Sequence, residues 1–283
     1  MNAAGQALLD ARVVDAALPP EEWLATLAEL DAHDRAVAAR RARAKRRFWL
    51  VLGLGLGLVA LGFAVGPVFA AAVFVLWLIA VLALGAQRSR LARGDLPDLL
   101  SHTIVPLVAL LREDIEPRTP LRLALDVRPC VRDETYVSAT EPYKKGIYHK
   151  VVDTFHVQPW LLAELTLIDG SQVAIAATDH VRRRKQTKRN PRGKIKTKTK
   201  IAVKTDLRVT VRLRNEVWSY DGIPVTGLEI KPGEHRTRMR VRRKRKLPGR
   251  VLGWKERTLP GQDVEARDLV DAVALAYKRA RPA

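Results

Sequence analysis

Lysine or arginine stands at positions 194, 196, 198, 200, 204, 208, 212 and 214, all of one parity, while Ile195 to Leu213 at the other parity are aliphatic or threonine. Successive side chains of a strand point to opposite faces. This spacing therefore sorts Lys194, Lys196, Lys198, Lys200, Lys204, Arg208, Arg212 and Arg214 onto one face. Arg236, Arg238, Arg240 and Arg242 repeat the device on a later strand. Such groups bind anions through charge-assisted hydrogen bonds. Arg189 and Arg192, in the turn before the first of these strands, complete the expected anion-binding set.

Residues suited to catalysis or metal binding are sparse. His149, Asp153 and His156 come nearest to a metal-ligand cluster, but strand parity sends His156 to the face opposite the other two. No metal site and no cofactor are expected. The single cysteine, Cys130, excludes an intrachain disulfide and a multi-cysteine zinc site and reads as a small core residue. The sequence holds no P-loop, no dinucleotide-binding glycine motif after a strand, no His-Glu-x-x-His and no nucleophile elbow. These residues point to a binding or scaffold protein rather than an enzyme.

The chain has 283 residues and a formal net charge of +20. Residues 182–250 hold 25 Lys and Arg against 5 Asp and Glu, a surplus that equals the charge of the whole chain. Like charges on neighbouring strands repel, so an anionic partner is expected. A solvated face that resists edge-to-edge aggregation is the plain alternative. The partners considered are anionic lipid headgroups, an acidic protein and nucleic acid. Arg189-Asn190-Pro191-Arg192-Gly193-Lys194 resembles the arm tip of HU-type architectural DNA-binding proteins. Over those six residues the resemblance implies that Pro191 wedges between base steps while Arg189, Arg192 and Lys194 touch the backbone. Few aromatics accompany the basic stretch, which disfavours a stacking platform for single strands.

An address accompanies the charge. No charged residue lies between Arg47 and Arg88, and Gly66-Pro67 divides this run into halves. Each half, 48–65 and 68–85, is about 27 Å long as a helix, close to one bilayer crossing. A two-span transmembrane hairpin is the expectation. Arginines flank both outer ends, so the positive-inside rule places both termini in the cytoplasm of a cell, or bacterial inner, membrane. Gly53 and Gly57 supply a Gly-x-x-x-Gly face. It would pack the hairpin or drive homo-oligomerisation, as in an assembly-forming subunit of a membrane complex.

Those groups need elements to position them. Helices are expected at 4–17 and 21–47, making a cytoplasmic N-terminal region over 1–47. A third is expected over 97–113, kinked at Pro106, within a membrane-proximal segment 86–120. From 121 to 283 a basic β-rich domain is expected. It has strands at 121–127 and 147–157, a hairpin at Asp169-Gly170 and a long ribbon of 171–189 with 193–214 closed by Asn190-Pro191-Arg192-Gly193. A strand at 236–243 and a helix at 263–279 follow. The fold class is a membrane-anchored α+β chain with a mainly antiparallel sheet and a C-terminal helix.

Overall fold

The computed structural model describes residues 2–93, 97–190, 192–220, 226–246, 259–261, 264–278 and 280–283. Its elements are α1 (Ala3–Asp10), β1 (Val13–Leu18), α2 (Pro20–Val65), α3 (Pro67–Arg93), α4 (Val105–Leu111), β2 (Leu121–Asp126), β3 (Tyr136–Ala139), β4 (Tyr143–Lys145) and β5 (Tyr148–Thr166). They continue with β6 (Gln172–Arg189), β7 (Ile195–Arg214), β8 (Trp218–Tyr220), β9 (Leu228–Lys231), β10 (Arg236–Lys246), α5 (Ala266–Tyr277) and β11 (Ala280–Pro282). The fold is α+β with a large antiparallel sheet and a C-terminal helix, as expected. Residues 1–27 and 97–283 form one compact unit and residues 28–96 another.

In the first unit the sheet runs β1-β2-β5-β6-β7-β10-β9, with β3 and β4 on the N-terminal half of β5. The alternation read from sequence sets the faces: Val203, Leu207, Val209, Val211 and Leu213 of β7 are buried. Helix α5 packs on β7 and β10 and against α4, burying Leu269, Ala272 and Ala276. Pro106 stands in the first turn of α4 after a short π-helical turn, where a missing N–H costs little. Two turns close as their chemistry requires. Gly170 takes a φ of 76° and Gly193 a φ of 78°, both in the left-handed region.

Two expectations are corrected. Residues 13–18 are a strand rather than a helix. Arg12, at a φ of 58°, ends α1, and the β-branched Val13-Val14 start β1, which pairs with β2 from Val13↔Asp126 to Leu18↔Leu121. The N-terminal segment is thus part of the sheet domain. Trp23, fully buried, donates its indole N–H to the Leu121 carbonyl at 2.8 Å. The ribbon is also no bare two-stranded arm. Strand β5 follows β6 as far as Lys150↔Thr187, so three strands continue almost to the turn.

The second unit contains α3 and the part of α2 beyond residue 27. Gly55 makes the close approach between the two helices. A Cβ there would overlap the Trp77 ring, and Trp77 donates its indole N–H to the Val51 carbonyl at 3.0 Å. Gly53 and Gly57 have open space where a Cβ would stand, so the expected Gly-x-x-x-Gly contact is not the one that packs the hairpin. Among the described residues no helix is long and apolar enough to cross a membrane. The hairpin is present, and its two expected spans lack that support.

Candidate anion-binding surface

The pairing of β7 and β10 brings the two cationic ladders side by side. Arg236 lies opposite Arg214, Arg238 opposite Arg212 and Arg242 opposite Arg208. On the other side of β7, Lys196 faces Lys188 and Lys200 faces Arg184. Directly opposed residues share a face, so all the cations expected on these strands lie on one surface. Lys196, Lys198, Lys200, Lys204, Arg208, Arg236 and Arg242 are exposed there. Arg189, Arg192 and Lys194 are exposed at the turn, where Arg189 donates to the Gly193 carbonyl at 3.4 Å. Pro191, the expected wedge, lies outside the described residues.

Carboxylates divide this surface into two zones. In the proximal zone Asp206 accepts from Arg242 Nε at 2.9 Å. The Arg242 guanidinium holds its carboxyl below the usual range, and burial opposes this. Glu229 lies 3.1 Å from Lys231 and 3.5 Å from Arg240. The distal zone is different. Twelve Lys and Arg lie between Asp179 and Asp206 without one Asp or Glu. Among the described residues a single carboxylate forms an ion pair with them, Asp153, which takes Arg184 in a bidentate contact at 2.7 and 2.6 Å and a hydrogen bond from Tyr143 at 3.1 Å.

Charge at the distal end is not confined to one face. Lys150, Arg183 and Lys185 lie with Thr154, Thr187 and Thr197 around a depression of about 520 Å³. Arg183 and Lys185 lie opposite Ile201 and Thr199, and Lys150 lies opposite Thr187, whose other partner is Thr197, which places all three on the reverse of the sheet from Lys196 and Lys198. The alternation near the tip leaves both faces polar or cationic, but the expected anion-binding set did not include this trio. The run Arg182-Arg183-Arg184-Lys185 carries the signal, since four consecutive cations in a strand must supply both faces.

His156, Asp153 and Asp126 have partners within the fold. His156 is buried, its pKa lowered by burial, with Nδ1 3.3 Å from Thr135 Oγ1. Asp153 is committed to Arg184, which keeps its carboxyl below the ordinary range against the effect of burial. Asp126 is held low as well: burial works against the charge, and hydrogen bonds from Arg128 at 2.7 Å and Arg132 at 2.6 Å outweigh it. Among the described residues no group of three or more His, Cys, Asp or Glu is placed to hold a metal. A second depression of about 460 Å³ is lined by Glu164, Thr210, Arg212, Arg238 and Arg240, with no histidine or cysteine.

One buried carboxylate was not foreseen. Asp179 accepts from Thr205 Oγ1 at 2.7 Å, Trp160 Nε1 at 3.2 Å and the Gly261 N–H at 2.9 Å, with the Cys130 thiol 4.0 Å away. It ties β5, β6, β7 and the segment before α5 together. Cys130 is buried beside it, and burial pushes its thiol far up; it packs in the core with Val181, Ile201 and Val203, as expected. Compared with protein-family models, with curated proteins and with solved structures, the chain matches none.

Proposed function

We propose that this chain is a non-enzymatic, membrane-anchored binding module that holds an anionic phospholipid surface with the cationic distal end of its sheet. One observation carries the reading: twelve cations between Asp179 and Asp206, on both faces of the sheet, with Asp153 alone ion-paired to them among the described residues. The Lys188–Lys196 opposition is unfavourable unless an anion is near. An extended array of amine and guanidinium groups suits a continuous field of phosphates better than one small ligand. Each cation close to an anionic leaflet contributes about 1 kcal/mol.

The hairpin supplies the membrane. Its sequence carries no charge from residue 48 to residue 87, and Leu54, Leu61, Leu76 and Leu82 are each more than three-fifths exposed. An apolar surface of that extent is at home in lipid or against another apolar surface. Arginines on both outer flanks put the sheet domain on the cytoplasmic side, whose leaflet is the anionic one. Tethering also keeps the domain at high effective concentration near those headgroups.

The test is lysine footprinting of the full chain in phospholipid nanodiscs. Acylation of Lys194, Lys196 and Lys198 should fall when phosphatidylglycerol is added to phosphatidylcholine, and salt should restore it. Equal acylation in both lipids would overturn the proposal. In neutral discs, protection by an added DNA duplex, lost with a steep salt dependence, would instead favour the nucleic-acid reading of the Arg189–Lys194 turn. With neither lipid nor DNA protecting, an acidic protein becomes the partner to seek.

A further inference from the structure

The distal end of the sheet is built from two turns. One joins β4 to β5 at Gly146-Ile147 and the other joins β6 to β7, closed by the Asn190 N–H on the Lys194 carbonyl at 2.9 Å. The pair Lys150↔Thr187 sets both turns at the same end. Each presents one large apolar side chain to solvent: Ile147 is 72% exposed and Ile195 69%. Gly146 takes a φ of 55°, a left-handed bend that suits glycine. Around these isoleucines stand the exposed Lys144, Lys145, Arg189, Arg192, Lys194 and Lys196.

We infer that this end is a membrane-inserting tip, in which Ile147 and Ile195 enter the boundary between headgroups and acyl chains while the surrounding cations hold anionic headgroups. The inference rests on the phospholipid reading above and adds how the sheet meets the bilayer. Single exposed apolar residues are ordinary on protein surfaces. Two on neighbouring turns, ringed by cations, form the pairing of apolar area and positive charge that binds an anionic interface. The two-faced charge agrees. A sheet lying flat on a membrane uses one face, so Lys150, Arg183 and Lys185 would point away. A sheet entering end-on offers headgroups to both faces.

Ile168 provides the comparison. It is 68% exposed, but it lies at the opposite end of the sheet, next to Asp169, with its N–H on the Asp114 carbonyl. Arg214, which lies beside Gly170 there, is ion-paired to Glu216, and a sheet entering end-on by the other turns keeps this end away from the bilayer.

The experiment uses the full chain in nanodiscs, with an environment-sensitive dye on Ile147→Cys, Ile195→Cys or Ile168→Cys. Cys130 is buried and stays unlabelled. With phosphatidylglycerol present, the dye at 147 and at 195 should shift to the blue and be quenched by lipid brominated near the headgroup. The dye at 168 should do neither, and pure phosphatidylcholine should remove both effects. Protected Lys196 and Lys198 with unquenched dyes at 147 and 195 would overturn the tip and leave docking intact. Lysines open to acylation in anionic discs would overturn both. The double variant Ile147→Asp with Ile195→Asp gives a second readout. The salt concentration that releases lysine protection should drop at least twofold, and an unchanged value would count against insertion.

Discussion

Asp179 has donors on both oxygens and no ion pair among the described residues. Burial raises its pKa, with the hydrogen bonds from Thr205, Gly261 and Trp160 opposing. The sign follows. The folded state holds this proton to higher pH than the unfolded chain, whose aspartate titrates near ~3.9. Stability from this group is therefore complete below that value and declines as pH rises towards the folded pKa. Asp126, Asp153 and Asp206 act in the opposite sense. Their lowered values give stability that is present above the unfolded pKa and lost as pH falls. A melting series from pH 4 to neutral should show Asp179→Asn losing less stability with rising pH than the parent; parallel curves would refute this. Asp179→Ala orphans the Trp160, Thr205 and Gly261 donors and should cost about 2–4 kcal/mol in denaturant unfolding. The sequence held one sign of Asp179. It interrupts the apolar parity of Val173, Ile175, Ala177 and Val181, and a charge on a packed face calls for buried partners.

Elements were legible where a local period or turn fixed them. Alternation set β7, and Asn190 to Gly193 set the turn, since both are written in adjacent residues. Strand β1 was hard to read, because its partner β2 lies about a hundred residues away and the β-branched Val13-Val14 is too short a local signal against the alanine- and leucine-rich residues around it. The three-stranded distal end was hidden for the same reason, as β5 is long only because β6 is there to pair with. In the hairpin, spacing suggested Gly53 and Gly57, whereas contact selects Gly55, which the position of Trp77 decides. Gly55→Leu should therefore push Trp77 off the Val51 carbonyl and open the helix pair. Gly53→Leu and Gly57→Leu should leave it closed. Crosslinking of cysteine pairs placed across α2 and α3 checks this, and equal loss in all three variants would reject the role of Gly55.

At the scale of the whole molecule the charge has two possible roles, and stability separates them. If the cations only keep a sheet face solvated, replacing some of them changes little except solubility. If they exist for an anion, the free protein is strained by their mutual repulsion, and neutralising them relieves it. Lys196 and Lys198 are suited to the test. Both are exposed, neither has an ion pair among the described residues, and Lys196 faces Lys188 directly. Lys196→Gln with Lys198→Gln should raise stability in low salt by about 0.5 kcal/mol, within the range for removing a like-charge cross-strand pair. High salt should shrink that gain as screening shortens. The same variant should hold anionic nanodiscs less firmly, releasing at lower salt than the parent. A gain in stability that accompanies a loss of membrane contact marks a surface kept for its partner at a cost to the fold. An unchanged melting temperature together with unchanged release would return the ladder to the role of a solvated face.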